Sequence, residues 1–113
     1  MSDPRIAEAL AKIHRAETRL LATGETKTIN GGGRAPARSA RYKRASGDVH
    51  AAKQERNRLF VELVGAEPTV PKELADEFGL TGREAANIVD IARSGSPRLR
   101  DHLFGPGPIQ AMG

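Results

Sequence analysis

Residues 71–90 read PKELADEFGLTGREAANIVD, and the placement of small, apolar and turn-forming residues in this stretch decides the fold. Leu74, Phe78, Leu80, Ala85, Ile88 and, just beyond, Ile91 recur at intervals that put apolar side chains on the facing sides of two helices. Gly79 falls between the two sets, where a chain reversal needs a residue that tolerates positive φ. Ala75 lies four positions earlier and is small enough for two helices to cross at it. Thr81 and Glu84 have the spacing of a capping box, in which hydroxyl and carboxylate each satisfy a free backbone N–H. The expectation is a short helix over about 71–78 and a second over 82–93, ended by Ser94-Gly95.

Downstream, Ser96 and Pro97 have the form of a cap and first residue of a third helix. Leu99, Leu103 and Phe104 are expected to cover the apolar side of the pair, with Arg98 and Arg100 left outside. The tail 105–113, GPGPIQAMG, reads as extended. Upstream, Ser2 is a candidate cap for a helix that begins near Pro4 and ends at Gly24. Its Ile6, Ile13 and Leu20 are seven apart, with Leu10 and Leu21 alongside, and a stripe so spaced wants a partner helix. Packing within the chain and a coiled-coil dimer seam both satisfy it. Residues 48–64, DVHAAKQERNRLFVELV, form a second amphipathic pattern. Val49, Ala52, Leu59, Phe60, Leu63 and Val64 make its apolar side, Lys53, Arg56 and Arg58 lie on the remainder, and Gly65 and Pro68 stop it. The first and second helices suit an antiparallel hairpin.

The stretch between them, GETKTINGGGRAPARSARYKRASG at 24–47, reads as a flexible basic arm, with helix resuming from Ala37 onward and a break at Gly47. Its triple glycine has neither a preceding strand nor a following Gly-Lys-Ser/Thr, so it is not a P-loop. The organisation expected is therefore all-α: an N-terminal helix at 1–23, the arm at 24–47, a second helix at 48–66, a three-helix unit at 67–104 and a mobile tail at 105–113.

The net charge of +4 is unevenly spread. Residues 27–58 carry nine bases and two acids, whereas residues 59–90 carry two bases and seven acids. A basic cluster attracts phosphate through counterion release whatever the base sequence. Arg34, Arg38, Arg41, Lys43 and Arg44 are the candidate phosphate contacts of the arm, since no acid interrupts residues 27–44. Arg outnumbers Lys by 13 to 5, which with abundant Ala and Gly suggests the codon supply of a GC-rich bacterial or phage genome.

The two-helix stretch resembles a helix-turn-helix of the DNA-binding type. From Thr69 to Phe104 it is similar to the corresponding segment of ParB/KorB-like partition proteins, including a Gly95-Ser96-Pro97-Arg98-Leu99 entry to the next helix. The likeness covers about a third of the chain, and no nucleotide-binding box accompanies it. It implies that the second helix enters the major groove by its N-terminal part. Thr81, Arg83 and Asn87 would then face base edges, Arg83 suiting guanine and Asn87 adenine. The Gly82 N–H, Arg98 and Arg100 would hold phosphates. The functional expectation is a small bacterial or phage protein that binds double-stranded DNA as a dimer, as transcriptional regulator or DNA-organising factor, without cofactor or metal. The alternative is a protein–protein assembly module or a small terminase-like packaging component, favoured by the negative charge around Glu73, Asp76, Glu77, Glu84 and Asp90. RNA binding by 27–58 is disfavoured by the lack of stacking aromatics apart from Tyr42.

No enzyme is expected. Cysteine is absent, the three histidines (His14, His50, His102) are far apart in sequence, and no serine sits in a nucleophile motif. No small-molecule substrate is implied. No apolar run approaches the roughly 18 residues of a membrane span, and the start Met-Ser-Asp-Pro-Arg leads into an amphipathic helix, so a cytoplasmic protein without a membrane partner is the expectation.

Overall fold

Helix α1 spans Pro4–Ala22 and α2 spans Ala40–Val64. They are followed by α3 at Lys72–Glu77, α4 at Gly82–Ser94 and α5 at Pro97–Phe104. The structure, a computed structural model, describes residues 3–24 and 39–109, and among these the fold is all-helical with no strand. Residues Ser2, Arg34 and Arg38 and the triple glycine lie outside the described residues. No helix of the described residues is long and apolar enough to cross a membrane.

Asp3 caps α1 in place of the expected Ser2: its carboxylate accepts the Arg5 N–H at 2.9 Å. A carboxylate there also meets the positive end of the helix. Arg5 reaches back to Asp3 and across to Glu62 of α2, at 2.9 and 2.6 Å. The side-chain hydrogen bond from Arg5 holds the Asp3 carboxyl below its ordinary value. Further along, Lys12 pairs with Glu55 at 2.7 Å. The start of α1 therefore lies beside the end of α2, and the hairpin is antiparallel. Exposed ion pairs of this kind contribute only about 0.2–1 kcal/mol each. The seam is held by Ile6, Ile13 and Ala16 of α1 and by Ala45, Val49 and Ala52 of α2, all buried. The seven-residue stripe thus finds its partner within the chain, although Leu21 stays 66% exposed.

Ser39 accepts the Tyr42 N–H at 3.1 Å, so α2 begins at Ala40 and runs without a break through Gly47. Residues 40–47, assigned to the arm from sequence, are its first two turns. A helical glycine costs about 1 kcal/mol relative to alanine. The buried Ala45 and Val49 on either side of Gly47 supply packing to offset that cost.

The main core joins Ile6 of α1 and Phe60, Val61 and Val64 of α2 to the inward residues of α3, α4 and α5. Phe60 and Phe78 meet edge to face, with ring centroids 5.1 Å apart and planes at 82°. Phe104 is buried and Leu103 half-buried as expected, but Leu99 remains 48% exposed and does not cover the pair.

Arg56 and Arg58, expected on the outer side of α2, turn inward. An α-helix ends with unsatisfied carbonyls, and the row Gln54, Asn57 and Arg58 on α2 serves those of α5 and the loop after it. Gln54 donates to the carbonyls of Asp101 and His102 at 3.2 and 3.1 Å. Asn57, buried, donates to Leu103 at 2.8 Å. Arg58 donates to the carbonyl of Phe104 and, at 2.9, 3.0 and 2.7 Å, to those of Gly105, Pro106 and Pro108. Arg56 donates to the side-chain oxygen Oδ1 of Asn57 at 3.0 Å. Its burial lowers the guanidinium from its ordinary basicity, against the opposing pull of Glu84 and Glu17.

Candidate nucleic-acid interface

The chain reverses between α3 and α4 through backbone geometry that only a few residues permit. Gly79 has φ 68°, the left-handed region that favours glycine. The Leu80 N–H donates to Ala75 O at 2.9 Å and the Gly79 N–H to Asp76 O at 3.0 Å. This pair of bonds is a Schellman motif, with the buried Ala75 and Leu80 as its apolar contact. Gly79 occupies the turn position expected of it, and Ala75 is buried.

Helix α4 then starts from a complete capping box. The Glu84 N–H donates to Thr81 Oγ1 at 3.1 Å, and the Thr81 N–H donates to Glu84 Oε1 at 3.0 Å. The Thr81 backbone N–H, and secondarily its hydroxyl, hold the Glu84 carboxyl below its ordinary value. Because the folded pKa is depressed, this contribution is complete above the usual glutamate range and fades as pH falls through the lowered value. At the other end, a Cβ on Gly95 would lie 2.6 Å from the Ile91 carbonyl oxygen, so only glycine lets the chain leave α4 this closely.

The inner side of α4, with Ala85, Ile88, Val89 and Ala92, is buried. Thr81, Gly82, Arg83, Ala86, Asn87 and Asp90 are exposed. Arg83 and Asn87 have no side-chain partner among the described residues. The Thr81 hydroxyl is already engaged by Glu84 within the capping box. Arg98 is likewise exposed and unpartnered. Arg100 departs from expectation: its Nε and Nη2 donate to the Ala92 carbonyl at 3.1 and 2.5 Å, closing the C-terminal end of α4. It is half-buried and committed to the fold, because the short α4–α5 connection brings it over that orphan carbonyl. Arg93 acts in the same way on the carbonyls of Gly65 and Glu67, at 3.2 and 2.6 Å.

A second group of cations lies at the hairpin tip. Arg41, Lys43 and Arg44 are exposed on the first turns of α2. Arg41 and Arg44 join Arg19 of α1 around a hollow of about 210 Å³ that also includes Asp48. Arg19 was not legible as part of the cluster, since it sits in a charge-balanced stretch and only the hairpin brings it there. Arg44 precedes Phe60 by 16 residues, which at 1.5 Å per residue places the tip roughly 24 Å along α2 from the core beneath α4.

His50 and His102, distant in sequence, are brought together with ring centroids 5.1 Å apart. The Gln54 amide lies 3.0 Å from His50 Nε2. Among the described residues no cluster of three or more His, Asp or Glu is placed to hold a metal ion. A groove of about 550 Å³ runs between the segment around Val70, α3 and the flank of α4 that carries Ala86 and Asp90. No protein-family model, curated protein or solved structure matches the chain.

Proposed function

We propose that this chain is a duplex-DNA-binding protein. The N-terminal half of α4 enters the major groove, with Arg83 and Asn87 on base edges and the Gly82 N–H on a phosphate. The carrying observation is the unpartnered outer side of α4 at Arg83 and Asn87, set on a helix whose inner side is buried and whose start is fixed by a capping box. The likeness of 69–104 to ParB/KorB-like segments supports the same use. Arg19, Arg41, Lys43, Arg44 and Arg98 supply sequence-independent contacts to phosphates. The tip lies roughly 24 Å along α2 from the core beneath α4, less than one duplex turn of about 34 Å. In this reading the protein is a regulator or DNA-organising factor of a bacterium or phage and needs no cofactor.

Fluorescence anisotropy with labelled duplexes across a salt series tests this. Replacing Arg41, Lys43 and Arg44 by Ala should lower the slope of log K against log salt by about 2.7, at about 0.9 per lost phosphate contact. Affinity should fall alike on every sequence. An unchanged slope removes the tip from the interface. A second reading, an assembly module that docks protein on the acidic flank of α4, is favoured by the groove beside Asp90. It predicts no duplex affinity at physiological salt.

A further inference from the structure

The two acids of α4 have different fates. Glu84 is consumed by the capping box with Thr81. Asp90 is exposed, and its carboxylate has no hydrogen-bond or ion-pair partner among the described residues. Lys72 and Arg93 line the groove on the same flank, but neither is in ion-pair contact with it. At about 100° per residue, Asp90 falls within about 20° of Arg83, seven positions earlier, and about 60° from Asn87. The buried residues Ala85, Ile88, Val89 and Ala92 are centred on the opposite side. Arg83, Asn87 and Asp90 therefore form the ridge of α4 farthest from the core. Ser94, next on that ridge, turns its hydroxyl back onto the Asp90 carbonyl at 3.0 Å. The outward chemistry of the ridge thus ends in a free carboxylate.

A carboxylate is repelled by phosphates but is selective among base edges. Phosphates stand along the walls of the major groove, and the outermost ridge of a helix lying in it faces the floor. There the acceptors of guanine and thymine repel a carboxylate, and adenine sets its N7 acceptor beside its N6 amino group. Of the four bases, only cytosine presents an amino donor, N4, with no acceptor on its major-groove edge. We propose that Asp90 is a specificity-determining residue, which accepts a hydrogen bond from cytosine N4 and rejects the other three bases at that pair. The inference rests on the proposed entry of α4 into the major groove. Along the helix axis Asp90 lies about 4.5 Å beyond Asn87 and about 10.5 Å beyond Arg83. The longer distance equals about three base-pair steps of 3.4 Å. The cytosine accordingly belongs within three base pairs of the one that Arg83 reads, on the far side of Asn87.

Selection by the full chain from a duplex library randomised over one helical turn, about 10 base pairs, supplies the test duplex. Anisotropy titrations then compare it with its single-pair variants at one salt concentration. Wild type should prefer C·G at one pair by roughly fivefold or more, the lower end for a base-edge contact. Asp90→Ala should abolish that preference and leave the other pairs read as before. Asp90→Asn should move it from cytosine to adenine, because an Asn amide pairs with N6 and N7 together. Both substitutions change an exposed, unpartnered side chain, and Asn matches Asp in shape, so both should fold, which circular dichroism checks. Variants that tighten every duplex by the same factor would set Asp90 beside the phosphates and overturn the assignment. Variants with the sequence preference of wild type would overturn it too. In both results wild type still selects a sequence, and the proposed function stands without Asp90. A wild-type chain that selects no sequence overturns the assignment and base reading by α4 together.

Discussion

Phe60→Ala is expected to destabilise the protein by about 3–5 kcal/mol and to lower its thermal midpoint by roughly 10–20 °C. Phe60 is fully buried on α2 and stacks edge to face on Phe78, which closes α3. Its cluster includes Ile6 from α1 and Phe104 from α5, so one side chain touches the core that joins the hairpin to the α3–α5 unit. Truncation to Ala removes the aromatic burial, leaves a cavity and deletes the ring–ring contact. Against the 5–15 kcal/mol typical of a domain, the loss is a large fraction of the total. Thermal and urea melts followed by circular dichroism check it. A loss below about 1 kcal/mol would show that the hairpin and the α3–α5 unit do not share a core.

Arg83→Ala is expected to weaken a preferred duplex by about 1–3 kcal/mol, roughly 5- to 150-fold, and random duplex much less. A guanidinium bonded in bidentate fashion to guanine is lost together with its discrimination, whereas a phosphate contact would be lost equally on all sequences. Arg83 is exposed and unpartnered, so the variant should melt within about 0.5 kcal/mol of wild type. The binding change is then separable from folding. Anisotropy titrations on a selected duplex and on a scrambled one at the same salt decide it. Equal loss on both would reassign Arg83 to the backbone.

The elements of this fold that are local in sequence were legible from it. Ala75, Gly79 and Leu80 specify a Schellman turn through neighbouring backbone bonds. Thr81 with Glu84, and Ser96 with Pro97, specify helix starts in the same way. The seven-residue stripe of α1 indicated a partner helix but not which one, because apolar spacing is the same for a hairpin and a dimer seam. The basic residues were misjudged where tertiary geometry assigns them. Nothing in the spacing of Arg58 and Arg100 separates a solvated guanidinium from one that caps carbonyls of another segment. Which it becomes depends on where α5 and its following loop come to lie. Arg56 follows the same logic, drawn inward beside the buried Asn57. Arg19 joined the tip, and His50 met His102, through contacts between residues distant in the chain. The continuity of α2 was missed because Gly47 reads as a breaker, whereas burial of Ala45 and Val49 on either side of it outweighs its cost.

The proposed function rests on the outer side of α4 reading duplex DNA. Amide chemical shifts of the isotope-labelled full chain, recorded while a selected duplex is titrated in at physiological salt, report on that side residue by residue. Saturable shifts are expected at Thr81–Asn87, with a second, salt-sensitive set at Arg41–Arg44. A duplex that binds while the α4 amides stay unmoved, or one that moves nothing at all, would contradict it.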